Sequence, residues 1–290
     1  MFKTKSNPIL RLSKDQFPSQ FLQIPQPPKQ LFLIGELPKK DYKILAVVGS
    51  RKFSAYGKMV CEKIIAGLAR QPIVIVSGLA LGIDSIAHRA ALQAGLQTIA
   101  LPGSGLDEEV LYPHSHINLA REIVQAGGGL LSEFEPTWPS YKANFPQRNR
   151  LIAGIADAVL IIECERKSGT LITARLASDY NKDVLTIPGS IFSATSTGPH
   201  LLLKLGATPI TSAQDVIEAL HLETEQNSLW QNHDDCNKDE QKILQLLNTP
   251  KTRDDLLIQS QLSPAELNSA LMMLEIKNYI VEKAGQVIKK

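Results

Sequence analysis

At 290 residues the chain exceeds the usual size of one domain, and its 43% hydrophobic content suits a globular core. A net charge of only +2 excludes the whole-molecule field of a histone-like binder, so any attraction for a polyanion has to come from local clustering. Three widely spaced cysteines (Cys61, Cys164, Cys236) give neither a disulfide framework nor zinc spacing, and no run approaches about 18 apolar residues, so a cytoplasmic protein without membrane contact is expected.

Residues 1–40 carry prolines at 8, 18, 25, 27, 28 and 38 and lean basic. That density forbids long helices and predicts an extended arm laid on a body. From residue 41 to 221, short β-branched runs alternate with helical stretches. Strands are predicted at 44–48, 73–76, 98–101, 129–131, 158–162, 184–187 and 208–210. Helices are predicted at 56–70, 85–94, 117–125, 171–181, 199–205 and 213–220. The alternation argues for an α/β protein with a doubly wound, largely parallel sheet covered on both faces. Residues 222–237 are polar and mildly acidic and read as a linker. His233-Asp-Asp-Cys236 lies in it, and a metal role is not assigned to it or to any other residue. Residues 238–290 read as three short helices (239–247, 252–260, 263–276) and a hairpin around Ala284-Gly285, the layout of a winged helix.

The most informative stretch is 141–150, Tyr-Lys-Ala-Asn-Phe-Pro-Gln-Arg-Asn-Arg, with three cations, two aromatics and no acid. It is read as a surface loop that offers cations to phosphates and ring faces to bases, the two contacts unpaired nucleic acid requires. Small-residue turns close most of the predicted strands: Gly49-Ser50-Arg51, Ser77-Gly78, Pro102 to Gly105 and Pro188-Gly189-Ser190. Ser168-Gly169-Thr170 adds another at a helix start. In a parallel sheet these turns converge on one edge, where backbone amides and helix N-termini can meet an anion.

Enzyme signatures are not found. Gly49 and Gly57-Lys58 have the wrong spacing for a Walker A loop, with Met59 where Ser or Thr would hold magnesium. Gly103-x-Gly105 lacks the third glycine of a dinucleotide fingerprint. No ATP hydrolysis, no NAD or FAD and no other cofactor is expected, and no catalytic residue is assigned. Asp84 and His88, one helical turn apart, could exchange a proton. The preferred account is that Asp84 caps the helix and His88 closes a local hydrogen bond. The last 53 residues hold eight basic and seven acidic side chains, and the third helix shows Glu266 and Glu275 against Lys277. Such a helix is poorly equipped for duplex phosphates, so protein docking is as good a reading as DNA reading.

These motifs resemble the DNA processing protein A family (DprA, also called Smf). The likeness runs from about Pro18 to Leu220. It passes through Val-Val-Gly-Ser-Arg51, Ser77-Gly-Leu-Ala-Leu-Gly-Ile-Asp84-Ser-Ile-Ala-His88 and Leu-Leu-Ser-Glu133. It continues through Phe145-Pro-Gln-Arg148-Asn-Arg150-Leu-Ile-Ala-Gly154 and Glu163 … Ser168-Gly-Thr-Leu-Ile-Thr-Ala174. The resemblance implies an extended Rossmann-like domain that binds single-stranded DNA without catalysis, protects incoming strands in natural transformation and helps load the recombinase RecA. It also implies a homodimer formed through that domain, and a winged-helix appendage. The family's DNA-contacting positions map to Arg51, Lys142, Phe145 and Arg148, with Asn149 and Arg150 as second contributors. Gly49, Ser50, Ser168, Gly169 and Thr170 complete the expected DNA-binding set. Many members carry a SAM-like helical domain ahead of the Pro-rich segment. Only 17 residues precede the likeness here, so that domain is not expected.

Two alternatives stand beside this reading. Related Rossmann-like phosphoribohydrolases carry Pro-Gly-Gly-x-Gly-Thr-x-x-Glu where this chain has Glu165 to Thr173. Arg166 and Lys167 replace the first two glycines, and Thr173 stands at the catalytic Glu. Or the chain acts mainly as a recombination adaptor through its winged helix.

Overall fold

The computed structural model describes residues 8–222, 236–247, 249–277, 279–283 and 285–289. The chain divides into two compact units, residues 1–223 and 224–290. Most of the expected linker, His233 included, lies outside the described residues.

In the first unit the strands are β1 (Leu10–Arg11), β2 (Phe32–Gly35), β3 (Lys43–Val48), β4 (Ile73–Ser77), β5 (Thr98–Ala100), β6 (Gly129–Ser132), β7 (Ala158–Ile161), β8 (Asp183–Thr186) and β9 (Thr208–Pro209). The helices are α1 (Ala55–Gly67), α2 (Ile83–Gln93), α3 (Ile117–Gln125), α4 (Asn144–Ile155), α5 (Gly169–Asp179), α6 (Thr197–Lys204) and α7 (Ala213–Ala219). The strands form one sheet in the order β1-β2-β6-β5-β4-β3-β7-β8-β9. From β6 to β9 every pairing is parallel, and β2 adds to β6 antiparallel. The parallel winding starts at β3, runs out to β6, then returns to place β7 on the other side of β3. That reversal is the topological switch point, where open α/β sheets form a crevice outside the strands' carboxyl ends.

Strand alternation explains the two layers. On β3, Ile44, Ala46 and Val48 face a core built with Leu151, Ile152 and Ile155 of α4 and Ala174 and Ala177 of α5. Leu45 and Val47 point the other way, onto Cys61, Ile64 and Ile65 of α1, Ala87 and Ala91 of α2 and Val216 of α7. Burial pushes the Cys61 thiol up, and the Cys164 thiol up to about 12, so both behave as small apolar side chains.

Two expectations are corrected. Residues 8–40 are not simply an arm laid on a body: they supply β1 and β2 to the sheet. Phe17, Phe21, Ile24 and Leu31 enter the α4-side core, with the proline cluster falling between the elements. The surface loop expected at 141–150 is largely the first half of α4. Pro146 stands in its first turn, where the amide it lacks would have had no helical partner. Arg148, Leu151, Ile152 and Ile155 then bury one face at helical spacing.

In the second unit, α8 (Lys238–Leu246), α9 (Arg253–Ser260) and α10 (Pro264–Ile276) pack with a three-stranded antiparallel sheet in the order β10-β12-β11. Its strands are β10 (Lys251–Thr252), β11 (Ile280–Lys283) and β12 (Gln286–Lys289). Asn237, Thr252 and Ser263 open the three helices with capping boxes. This is a winged-helix domain. Two of its cations are paired within it, Lys277 with Glu240 at 2.6 Å and Arg253 with Glu282 at 2.6 Å, while Lys238 and Lys242 are exposed.

Candidate nucleic-acid interface

The segments following β3, β4 and β7 surround, with the starts of α4 and α5, a cleft of about 410 Å3. Its floor depends on close backbone approach. A Cβ on Gly49 would stand 2.7 Å from Ile83, and one on Gly78 would collide with both Arg148 and Asp84. Gly49 therefore lets the first turn of α2 press against the turn after β3. Ser50 holds that turn: its hydroxyl donates to Lys52 O at 2.7 Å and accepts Lys52 N–H at 3.0 Å, and its own amide donates to Glu163 O at 2.8 Å. Arg51, next in the chain, is exposed on the rim.

The opposite wall is the start of α5. Ser168 caps it, its hydroxyl accepting the Thr170 N–H at 3.2 Å, and the Thr170 hydroxyl donates to Gly49 O at 3.1 Å. Gly169 meets nothing within 4 Å of its Cβ position, so this helix N-terminus is open to an approaching anion. Lys52 and Lys167, neither in the expected set, are both exposed and line the same cleft. Each adjoins a predicted turn, and that adjacency was the signal available.

The ten-residue stretch divides. Lys142 is exposed in a turn closed by Asn144 N–H to Tyr141 O at 3.0 Å. Phe145 is half-buried, its ring 5.0 Å below the Arg51 guanidinium carbon and 5.8 Å from the Tyr112 ring. It rests on Gly103, where a Cβ would stand 2.8 Å from the ring.

Arg148 is not on the surface. It is 4% exposed, and its guanidinium donates to the carbonyls of Gly78 and Leu101, tying the ends of β4 and β5 together beneath the cleft. Nε donates to Asn149 Oδ1 at 3.1 Å, and Asn149, half-buried, lines the cleft. Burial brings the guanidinium down to about 10, opposed by the nearby Asp84 carboxylate, so it stays cationic at neutral pH. Arg150 lies elsewhere still. It pairs with Glu133 and donates to Gln26 O at 2.7 Å, fastening α4 to the end of β6 and to the N-terminal segment. Helical spacing turns both inward: Arg150 fastens protein oxygens, and Arg148 spends Nη1 and Nε on protein oxygens while still lining the cleft from below.

Asp84 accepts from the amides of Gly78 at 3.2 Å and Ala80 at 3.4 Å, in the loop before α2. Burial raises its pKa, and the Arg148 charge works against that. His88 does not contact it: Nδ1 lies 2.7 Å from Thr98 Oγ1. The structure corrects both expected roles: Gly82, not Asp84, stands at the start of α2 and Asp84 serves the preceding loop, while the His88 hydrogen bond crosses to β5. Glu163 carries a role sequence reasoning did not assign. Buried, it accepts from Ser54 N (2.6 Å), Ser54 Oγ (2.8 Å) and Thr195 Oγ1 (2.9 Å), clamping the start of α1 to the segment before α6. Among the described residues, no group of three or more His, Cys, Asp or Glu is arranged to hold a metal ion. None of their helices is long and apolar enough to cross a membrane.

Fold and site together define an extended Rossmann-like protein with a cation-rimmed cleft at its switch point and a winged helix appended. The family described as DNA recombination-mediator protein A matches residues 8–221, and the DprA winged helix domain matches residues 231–286. The chain is 42% identical over 210 residues to the DNA processing protein DprA of Streptococcus pneumoniae, covering 72% of this chain and 73% of that one. It is 40% identical over 212 residues to the Smf protein of Escherichia coli, covering 73% of this chain and 56% of that one. The match thus spans little more than half the length of the E. coli relative. The crystal structure of pneumococcal DprA superposes with a TM-score of 0.68 at 40% identity, over 74% of this chain and 75% of that one. A Helicobacter pylori DNA processing protein A structure, described for its single-stranded DNA binding mode, superposes with a TM-score of 0.66 at 33% identity, over 74% and 96%. The chain belongs to the DNA processing protein A family.

Proposed function

We propose that this chain is a non-catalytic single-stranded DNA-binding protein that shields strands and delivers them to a RecA-type recombinase. It would act as a homodimer in the cytoplasm. The observation that carries the reading is the Arg51 guanidinium poised over the Phe145 ring at the mouth of the switch-point cleft. A cation and a ring held together offer a phosphate partner and a stacking surface to one nucleotide. Lys52, Lys142 and Lys167 add exposed positive charge, and the open start of α5 adds backbone amides. Against a phosphoribohydrolase reading, the position of the catalytic Glu holds Thr173, which is buried, and Asp84 is already engaged by backbone amides.

The test is fluorescence anisotropy with labelled oligo-dT. With about four phosphates neutralised, the single-strand slope near −0.7 per phosphate predicts roughly 50-fold weaker binding between about 50 and 200 mM salt. The double variant Arg51→Ala, Lys142→Ala should lose about half of that slope and bind roughly 10-fold or more weakly at low salt. Equal affinity for variant and wild type removes the reading. A dimer with two clefts gains avidity, so affinity should climb steeply with oligonucleotide length.

A further inference from the structure

Two aromatic side chains lie outside the cleft just described. Trp138 and Tyr141, in the loop between β6 and α4, are 45% and 56% exposed, with ring centroids 6.1 Å apart in an edge-to-face pair. The loop that presents them is held at both ends. Gly105 N–H donates to Trp138 O at 2.8 Å, Asp107 N–H to Pro136 O at 3.0 Å, and Trp138 N–H to Glu135 O at 2.9 Å. From below, the buried Asn144 amide donates to Pro139 O at 3.2 Å and to Gly103 O at 3.1 Å. Two exposed rings on a pinned loop lose little conformational entropy when something stacks on them.

One short turn supports both aromatic groups. Phe145 rests on Gly103, and the Trp138 backbone hangs from Gly105. Two residues of chain span at most about 7 Å, so these anchors are close neighbours. Charge sets the orientation of anything that runs across both. Lys142, exposed, follows Tyr141 at the α4 end of the loop, while Glu135 and Asp107 flank its β6 end, where their backbones bond to Trp138 and Pro136. A phosphate chain would keep to the Lys142 edge and turn its bases toward the rings.

We propose that Trp138 and Tyr141 form a second base-stacking platform, over which an unpaired nucleic-acid strand leaves the cleft after passing Phe145. This rests on the strand-binding reading above. The platform works by stacking and neutralises no phosphate, because the charged residues flanking its β6 end, Glu135 and Asp107, are acidic. Arg51 and Lys142 set the salt dependence of binding, and Trp138 sets affinity without changing it.

The chain has two tryptophans, and Trp230→Phe leaves Trp138 as the only emitter. In that background, emission is followed during titration with unlabelled oligo-dT, while anisotropy with labelled oligo-dT reports binding independently. The expected result is Trp138 quenching that saturates together with the anisotropy. Trp138→Ala should weaken binding of long oligo-dT roughly 5- to 100-fold, the range of one stacked base, with the salt slope unchanged, and Trp138→Phe should recover most of it. Saturating anisotropy with unchanged emission overturns the platform, assigns the ring pair to a protein partner and leaves strand binding standing. So does wild-type affinity for Trp138→Ala, or a loss that comes with a reduced slope. No saturation at all removes strand binding and the platform together.

Discussion

The cations at the cleft's rim and the cations beneath it come from overlapping stretches of sequence and have opposite fates. Arg51 and Lys142 are exposed, and Arg51 touches only a ring face. Arg148 and Arg150, three and five residues past Phe145, are buried with their donors on carbonyls and a carboxylate. A basic residue in a recognition motif can hold the ligand or hold the shape that meets the ligand, and only its donor inventory separates the two. The second unit shows the same distinction from the other side, since Lys277 and Arg253 are spent on Glu240 and Glu282.

The sharpest way to break this contrast is Arg148→Ala. It removes the strongest counter-charge of the buried Asp84, leaving the more weakly acting Arg51, and strips the Gly78 and Leu101 carbonyls of a donor. We expect a cost of about 3–5 kcal/mol and a melting temperature lower by roughly 6–20 °C. Replacing both, Arg148→Met with Asp84→Leu, should recover only the part due to the uncompensated charge, because the Gly78 and Leu101 carbonyls and the Gly78 and Ala80 amides stay without these partners. A calorimetric melt within about 2 °C of wild type for Arg148→Ala, with DNA binding lost, would return Arg148 to the ligand-contacting class. The rim double variant should do the reverse and melt with the wild type, since exposed substitutions of this kind stay within about 0.5 kcal/mol.

A second contrast concerns pH. His88 is buried and donates from Nδ1 to Thr98 Oγ1, whose hydroxyl in turn donates to Ile75 O at 2.9 Å. Burial, reinforced by the neighbouring His116 and Arg148, lowers its pKa to about 3. The unfolded chain takes up this proton below about 6.5 while the folded one does not, so His88 leaves the balance unchanged above that value and opposes the fold increasingly below it. The loss is about 1.4 kcal/mol per pH unit, or roughly 2 kcal/mol by pH 5. Asp84 and Glu133, both raised by burial, act in the opposite sense, because the folded form takes up their protons first as pH falls. The His88 contribution is therefore read as a difference. The melting temperature of His88→Leu should fall less than that of wild type between pH 7 and 5, and parallel curves would refute the assignment.

The smallest effect is expected from removing the second unit. Because basic and acidic residues nearly balance in it and Lys277 and Arg253 are spent on its own carboxylates, deleting residues 222–290 should change affinity for short oligo-dT by less than about twofold, the scale of a few tenths of a kcal/mol. Recombinase loading, measured as strand exchange on oligonucleotide pre-bound by this protein, should drop. A large loss of strand affinity would instead place DNA contacts on the winged helix.

Much of this was legible without coordinates. The β-branched runs and the turns that close them place strands β3 to β9 within a residue or two, because a parallel strand buried on both faces has to be apolar throughout. Arg51, Lys142 and Phe145 could be picked out as well, because their types and spacing suit phosphate and base. Helix α4 was hidden by composition: Pro146 and three cations argue for a loop, while 148, 151, 152 and 155 carry the helical period in plain sight. Strands β1 and β2 were hidden by length, since two- and four-residue strands among prolines leave no period to detect.

By itself the sequence determined the strand–helix alternation of a largely parallel sheet, a winged helix at the C-terminal end and the presence of cations and rings suited to an unpaired strand. Local period, turn chemistry and residue type carry all of these. Tertiary structure alone decided which of the cations reach solvent and that Trp138 and Tyr141 share a pinned loop beside Phe145. Those outcomes depend on which carbonyls and carboxylates distant strands bring within hydrogen-bond reach, and a buried guanidinium has to find them.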